Sequence, residues 1–245
     1  MVDRSFADPA LATLYDTLNL WGPGDDFYLG LVSAAGAVLD VGSGAGRLLR
    51  RARAGGHRGR LVGLDPAAAM LVEARRHGTD VEWVLGDLRT RDWYAEFDLV
   101  VMTGHVFQVL DRDEELRASL LAVHRALRPG GFVFETRNPA ARAWETWTPE
   151  RARTVTGADG AAVLVWHDVE GPVVGDLVTF TGTYACDTWP AHAVSRTTLR
   201  FLAPDALSAF LAEAGLTIAD QYGDWARTPV TAVAPEIITV ARRAS

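Results

Sequence analysis

The sequence predicts an α/β fold: a doubly wound sheet of seven strands with a small antiparallel β segment inserted late in the chain. Three observations carry that expectation. From Ala37 onward, short apolar runs alternate with helical stretches, the rhythm of parallel strands covered on both faces. A glycine-rich loop closes the first of those runs. Between about residues 160 and 201 the pattern changes to strand-like alternation, after which the helical rhythm resumes.

In the first thirty-odd residues, Phe6, Leu11, Leu14, Tyr15 and Leu18 fall near helical spacing. Trp21-Gly22-Pro23-Gly24 breaks that pattern, and a second short helix is expected to start near Asp25 or Asp26, both good N-terminal residues. The first strand is 37–41, followed by the loop 42–46 and a helix over 47–54 stopped by Gly55-Gly56. The second strand is 61–65, and a helix over 66–76 carries Pro66 in its first turn, where a missing N–H does no harm. Strands three and four are 81–85 and 97–102. A long amphipathic helix over 112–127 places Leu116, Leu120, Val123 and Leu127 on one face. Pro129-Gly130-Gly131 turns the chain into the fifth strand, 132–136. The inserted segment reads as strands at 162–166, 176–184 and 194–201, with Gly171-Pro172 between the first two. A helix over 204–214, closed by Gly215, leads to strand-like segments at 216–222 and 237–241. The organisation expected is a helical cap over 1–36, an α/β domain over 37–138 and 202–245, and a β-rich lid over 139–201.

At 245 residues the chain suits one such domain with a modest elaboration, and 49% hydrophobic with 22% charged residues is ordinary for a globular protein. The net charge of -7 argues against a nucleic-acid partner, which calls for a basic face. Arg47, Arg50, Arg51, Arg53, Arg58 and Arg60 cluster, but such a run reads as the solvated face of a helix. The single cysteine, Cys186, excludes an intrachain disulfide and argues against a cysteine-based metal site. Asp3, Arg4, Asp8 and Asp16 interrupt any signal-like core, and no apolar run approaches a membrane span. A cytoplasmic monomer or homodimer without membrane partners is expected.

The chemistry is concentrated in Asp40-Val41-Gly42-Ser43-Gly44-Ala45-Gly46, at the carboxyl end of the first strand, where open α/β sheets bind ligands. A dinucleotide fingerprint wants its third glycine one residue later, where this chain has Arg47. Asp40 would also sit badly beside a pyrophosphate, but it suits a ligand bearing an ammonium group. In this pattern the chain resembles the class I, Rossmann-like S-adenosylmethionine methyltransferases, whose first motif is matched by Asp40, Gly42, Gly44 and Gly46. The resemblance covers roughly residues 10 to 140. It implies S-adenosyl-L-methionine as cofactor and S-adenosyl-L-homocysteine as product. It further implies Asp65, with Pro66 after it, at the ribose; Met70 on the adenine or in plain core; and Gly86-Asp87-Leu88 at the adenine amino group. Tyr15 resembles the N-terminal residue that closes over the cofactor. The fourth strand and Leu127-Arg128-Pro129-Gly130-Gly131-Phe132 also match.

The donor methyl is then expected near Thr103, Gly104 and His105, after the fourth strand. His105 is the most attractive general base; in the family, however, this position more often orders the cofactor through backbone groups, and that reading is favoured. The β segment resembles the lid of small-molecule methyltransferases, so Trp144, Trp147, Trp166, His167 and Tyr184 are candidate acceptor contacts. Arg137 either meets an acidic substrate or pairs with a neighbouring carboxylate such as Glu135, the commoner fate. Asn138-Pro139 resembles part of an amino-group DNA methylase motif, but it follows the wrong strand and lacks the aromatic residue. The expected activity is methyl transfer to a nitrogen or oxygen of a small molecule. Three alternatives stand beside it: a cofactor-binding protein that transfers no methyl, such as a natural-product cyclase; an RNA or protein methyltransferase; and a nicotinamide dehydrogenase.

Overall fold

The computed structural model describes residues 3–76, 78, 80–157 and 160–243. Three single-turn helices, α1 (Arg4–Ala7), α2 (Pro9–Ala12) and α3 (Tyr15–Leu18), open the chain. Asp3 and Asp8 cap the first two by accepting from the Ser5 and Ala10 amides. Helix α4 (Pro23–Ala34) starts two residues before the expected Asp25. Pro23 fits its first position, and the Asp25 carboxylate reaches back to the Gly22 N–H at 2.8 Å.

The α/β body follows as β1 (Ala37–Val41), α5 (Arg47–Ala54), β2 (Arg60–Asp65), α6 (Ala68–Arg76), β3 (Glu82–Leu85), β4 (Phe97–Met102), α7 (Asp113–Ala126) and β5 (Leu127–Arg137). An antiparallel sheet of β6 (Arg153–Thr156), β7 (Ala162–Val169), β8 (Leu177–Ala185) and β9 (Ala193–Arg200) comes next. The chain then returns through α8 (Pro204–Glu213), β10 (Leu216–Tyr222) and β11 (Glu236–Arg243). The main sheet has seven strands in the order β10-β11-β5-β4-β1-β2-β3, parallel from β5 to β3, with β11 antiparallel to both neighbours.

Alternation along the strands splits the core in two. Leu39, Val62, Val100, Phe132 and Phe134 face α7 and α8, whereas Val38, Leu61, Leu99, Val101 and Val133 face α4 and α5. Both sheet faces are therefore buried, as apolar strands require. Strand β5 is longer than its apolar run suggested. Pro129-Gly130-Gly131 is no turn but an irregular stretch of the strand itself, where the pairing with β4 shifts register. Gly130 lies so close to the Asp98 carbonyl that any side chain would collide with it. Strand β6 escaped the sequence pattern because Arg-Thr-Val-Thr is short, polar and on a sheet edge, with only Val155 turned inward.

In the second sheet, Val163, Val165, Tyr184, Cys186 and Ala193 pack on Leu11 and Leu14. The opening helices thus lie against the inner face of the second sheet. The same helices reach α6, where Ala12 packs with Ala67 and Met70.

Candidate active site

The site lies along the carboxyl ends of the parallel strands. Gly42, Pro66, Gly86, Asp87 and Leu88 line one cavity of about 90 Å3 there, with Val106 and Met102. The glycines of the first loop answer to different neighbours. A side chain on Gly42 would meet Val106 at 2.5 Å, and one on Gly46 would run into the Trp83 ring; both positions also have positive φ. Gly44 has only Tyr15 nearby, at 3.8 Å. Tyr15 therefore lies across the loop, with its hydroxyl also facing Gly104, and burial pushes its pKa up to about 12.

Asp65 accepts from the Gly44 amide at 2.8 Å and from the Ala67 amide at 2.7 Å, so it ties the loop to the end of β2. Asp87 accepts from the Arg89 amide and guanidinium at 2.8 and 2.9 Å, which holds its carboxyl below the ordinary range. Met70 is not among the cavity residues: it is 1% exposed and packed beneath α2 and Tyr15. Thr103 leads from β4 into the left-handed pair Gly104 and His105.

Asp40 is the most telling residue of this cradle. It is 1% exposed, and its Oδ1 has no hydrogen-bond partner among the described residues. Burial, then the charges of Asp65 and Glu135, raise its pKa from 3.8 to about 8. Burial likewise raises Asp65 and Glu135. Among the described residues none of these three carboxyls has an ion-pair partner; their bonds come from amides and from the Tyr28 hydroxyl. Enclosed carboxylates without a counter-charge are a standing electrostatic deficit. A ligand with both a sulfonium and an ammonium group supplies what is missing, whereas a pyrophosphate would deepen the deficit. The residues therefore fit S-adenosylmethionine.

Next to this cradle sits a second polar group built by β5 and β11. Residues of one parity on β5, Val133, Glu135 and Arg137, lie opposite Val240, Ile238 and Glu236 of β11. The Glu135 carboxylate, 2% exposed, accepts from the Tyr28 hydroxyl of α4 and from the His105 N–H at 3.0 Å. That bond holds His105 in a left-handed backbone conformation (φ 63°), which is uncommon for a residue with a side chain. Phe107, stacked on Phe134 with ring centres 4.2 Å apart, anchors the same loop from below. The His105 ring places Nε2 at 3.0 Å from Glu236. With Glu236 as acceptor, Nε2 carries the proton and Nδ1 keeps the lone pair.

Arg137 does not pair with Glu135, whose carboxylate is already taken. Among the described residues its guanidinium bonds only the Gln108 side-chain carbonyl, at 3.3 Å, and it lies 5.3 Å from the Trp147 ring centre. Trp147 packs in turn on Phe180 and near His167, at 4.7 and 6.4 Å between rings. Trp144 meets Phe201 edge-on at 4.7 Å. Trp166 and Tyr184 stand apart from this group. Trp166, the neighbour of His167 on β7, projects to the opposite sheet face and packs edge-on with His192 at 5.9 Å. Tyr184 is buried against the opening helices with Leu11 and Leu14. Asn138 is structural: its amide donates to the Thr231 and Ala234 carbonyls at 2.8 and 2.9 Å and its oxygen accepts from Ala140.

Sequence reasoning missed Glu236, Glu135 as an anchor and Tyr28. Glu236 is the first residue of an antiparallel strand, far from any motif, and only the β5–β11 register brings it to the site.

A seven-stranded sheet of this order, a glycine loop beside an uncompensated acid, and a second acid at the end of β2 define an S-adenosylmethionine-dependent methyltransferase of the Rossmann-like class. Known proteins agree. Residues 38–131 match the family described as a methyltransferase domain. The chain is 34% identical over 205 residues to a trans-aconitate 2-methyltransferase from Azoarcus sp. (strain BH72), covering 76% of this chain and 79% of that one. It is 29% identical over 264 residues to a cypemycin N-terminal methyltransferase from Streptomyces sp, covering 99% and 100%. In fold it is similar to the CcbJ methyltransferase from Streptomyces caelestis, with a TM-score of 0.77 and 21% identity over the whole of both chains. The chain belongs to the methyltransferase family, and it is an enzyme that uses S-adenosyl-L-methionine. Among the described residues, no helix is long and apolar enough to cross a membrane.

Proposed function

We propose that this enzyme transfers the methyl group of S-adenosyl-L-methionine to a nitrogen or oxygen atom of a small molecule, with His105 as general base. The observation that carries the reading is the bond between His105 Nε2 and Glu236 at 3.0 Å, on the loop that follows β4 and adjoins the glycine loop. A histidine that merely lined the cofactor through its backbone would need no carboxylate on its ring. Held by Glu236, the ring presents Nδ1 as the proton acceptor, and Glu135 fixes the loop that carries it.

Asp40, Gly42, Gly44 and Gly46 would hold the methionine end of the cofactor, Asp65 and Pro66 the ribose, and Gly86, Asp87 and Leu88 the adenine. Tyr15 would close over the loop from the cap, residues 1–36. The segment 139–201 would enclose the acceptor, with Trp144, Trp147 and His167 on its near side. When bound, the cofactor would supply a methyl carbon on a sulfonium, whose carbon–sulfur electron pair would leave with the sulfur. The chain's own work is alignment, exclusion of water and acceptance of the acceptor's proton at His105. Both relatives support this range of acceptor atoms: one is named for an N-terminus and the other for trans-aconitate.

The test is a screen of small amines, alcohols and acids with methyl-labelled cofactor, followed by His105→Ala on the best acceptor. A loss of about 10²–10⁴ in kcat with unchanged S-adenosylhomocysteine affinity is expected. Unchanged turnover would remove His105 from the chemistry.

A further inference from the structure

Arg137 and Glu236 stand directly opposite each other across β5 and β11 and share a sheet face. Such a pair ordinarily bonds to itself. Here it does not: Glu236 is committed to the His105 ring, and Glu135 to Tyr28 and the His105 amide. Arg137 is left with one neutral side-chain acceptor, Gln108 Oε1, and no ion pair among the described residues. Gln108 itself is fully buried and fixed by the bond from its amide to the Arg200 carbonyl at 2.9 Å, so it holds the guanidinium in place. Trp147 lies beside the guanidinium, whose five N–H donors are matched only in part.

We propose that the methyl acceptor carries a carboxylate and that Arg137 is its anchor, between Trp147 and the His105–Glu236 pair. The assignment rests on the methyl-transfer reading above and deepens it. A guanidinium presents a planar fork that a carboxylate matches with two parallel bonds. The surroundings select a single negative charge. Glu135 and Glu236 both lie close enough to act on Arg137, so a dianion such as phosphate would face two carboxylates with one cation in hand. Burial lowers the His167 pKa, as do Arg153 and Arg137 to a smaller extent, so His167 contributes no second positive charge near neutrality. An acceptor amine on the same molecule would fall to the acidic side of the pair, by Glu236 and His105, and an acid acceptor would be methylated on carboxylate oxygen.

The acceptor is unidentified, so the probes are acetate, glycine, acetamide and inorganic phosphate. Each is titrated into cofactor-free and S-adenosylhomocysteine-loaded protein while the arginine Nε–H resonances are followed by NMR; the signal absent from Arg137→Lys identifies the residue. Acetate and glycine should shift that signal saturably at millimolar concentration, as expected for fragments of this size. Acetamide, the neutral isostere, should not. Arg137→Met should weaken acetate at least about tenfold, and Arg137→Lys should fall between. S-adenosylhomocysteine affinity and melting temperature should be the same in all three proteins. No saturable acetate binding, equal binding of acetamide, tighter binding of phosphate, or undiminished acetate binding by Arg137→Met would each overturn the assignment. Failure of S-adenosylhomocysteine to bind would instead overturn the methyl-transfer reading, because the acetate titration of cofactor-free protein is read separately.

Discussion

Asp40→Asn asks whether the floor of the cofactor cradle is kept against the stability of the fold. In the folded chain this carboxyl ionises only at about 8, against 3.8 for an ordinary Asp, because it is buried beside Asp65 and Glu135. The unfolded chain releases the proton near its ordinary value and the folded chain holds it to about 8. The folded state therefore loses stability as pH rises between those two values. At ~1.4 kcal/mol per pH unit the interval from 5 to 8 corresponds to roughly 4 kcal/mol. Asparagine brings a buried amide with unmatched groups and costs about 1–3 kcal/mol, but that cost is the same at every pH. The variant should therefore be no more stable than the parent at about pH 5 and more stable by about 1–3 kcal/mol above about pH 8. In thermal unfolding this is a gain of several degrees, at roughly 2–4 °C per kcal/mol for a chain of this length. The assay is urea unfolding of cofactor-free parent and variant at three pH values across that window. Calorimetry with S-adenosylhomocysteine runs alongside, where the variant should bind more weakly although it is more stable. A stability difference that is flat with pH would refute the reasoning, since only a carboxyl displaced by burial produces the slope.

Four further outcomes follow from the same geometry. Glu236→Gln should lower kcat by about one to two orders of magnitude with little change in acceptor KM, because it removes the group that orients the His105 ring; Glu236→Asp should recover part of the rate, and equal rates for Gln and parent would show that orientation is unimportant. Tyr15→Ala should weaken S-adenosylhomocysteine by about tenfold in calorimetry, whereas affinity at the parent value would free Tyr15 from the cofactor site. Gly46→Ala should destabilise the fold by about 2–4 kcal/mol in urea unfolding, through positive φ and the Trp83 ring, and Trp83→Leu in the same chain should restore part of the loss. Gly44→Ala, with only Tyr15 nearby, should cost about 1 kcal/mol from its φ alone, so equal losses at the two glycines would contradict the packing argument.

The parallel half of the fold was legible because its signals are local. Strand β1, helix α5, strand β4 and strand β10 have the bounds that alternation and flanking glycines indicated. The motifs proposed to hold the cofactor are local in the same way: each is a short run at the end of its own strand. The side proposed for the acceptor was not legible, because it depends on register. Whether Trp166 or His167 faces inward is a matter of one residue on β7, and a small sheet with apolar and aromatic residues on both faces leaves that choice open in the sequence. Tyr184 follows the same rule, having the inward parity but lying over the opening helices rather than over β5. Pro129-Gly130-Gly131 has every mark of a turn, yet close approach of two backbones at Asp98 explains the glycine as well as a turn does.

Glu135 shows how the two halves of the site depend on one another. Its position on β5 gives it Val133 below, in the core shared with α4 and α5, and Arg137 above, at the rim. The same carboxylate bonds Tyr28 of α4 and the amide of His105. If that bond were lost, His105 would have no reason to remain in the left-handed region, and its ring could not stay in line with Glu236. The placement of the proposed base thus depends on a buried carboxyl that bonds Tyr28 and the His105 amide. Because Glu135 is held in place by Tyr28, the conformation of the loop that carries His105 is tied to the packing of α4, whose buried Tyr28 packs on Phe27 and Trp225. Substitutions in that aromatic cluster should therefore alter turnover before they alter cofactor affinity, since the cluster acts on His105 through Glu135 and makes no contact with the glycine loop through it.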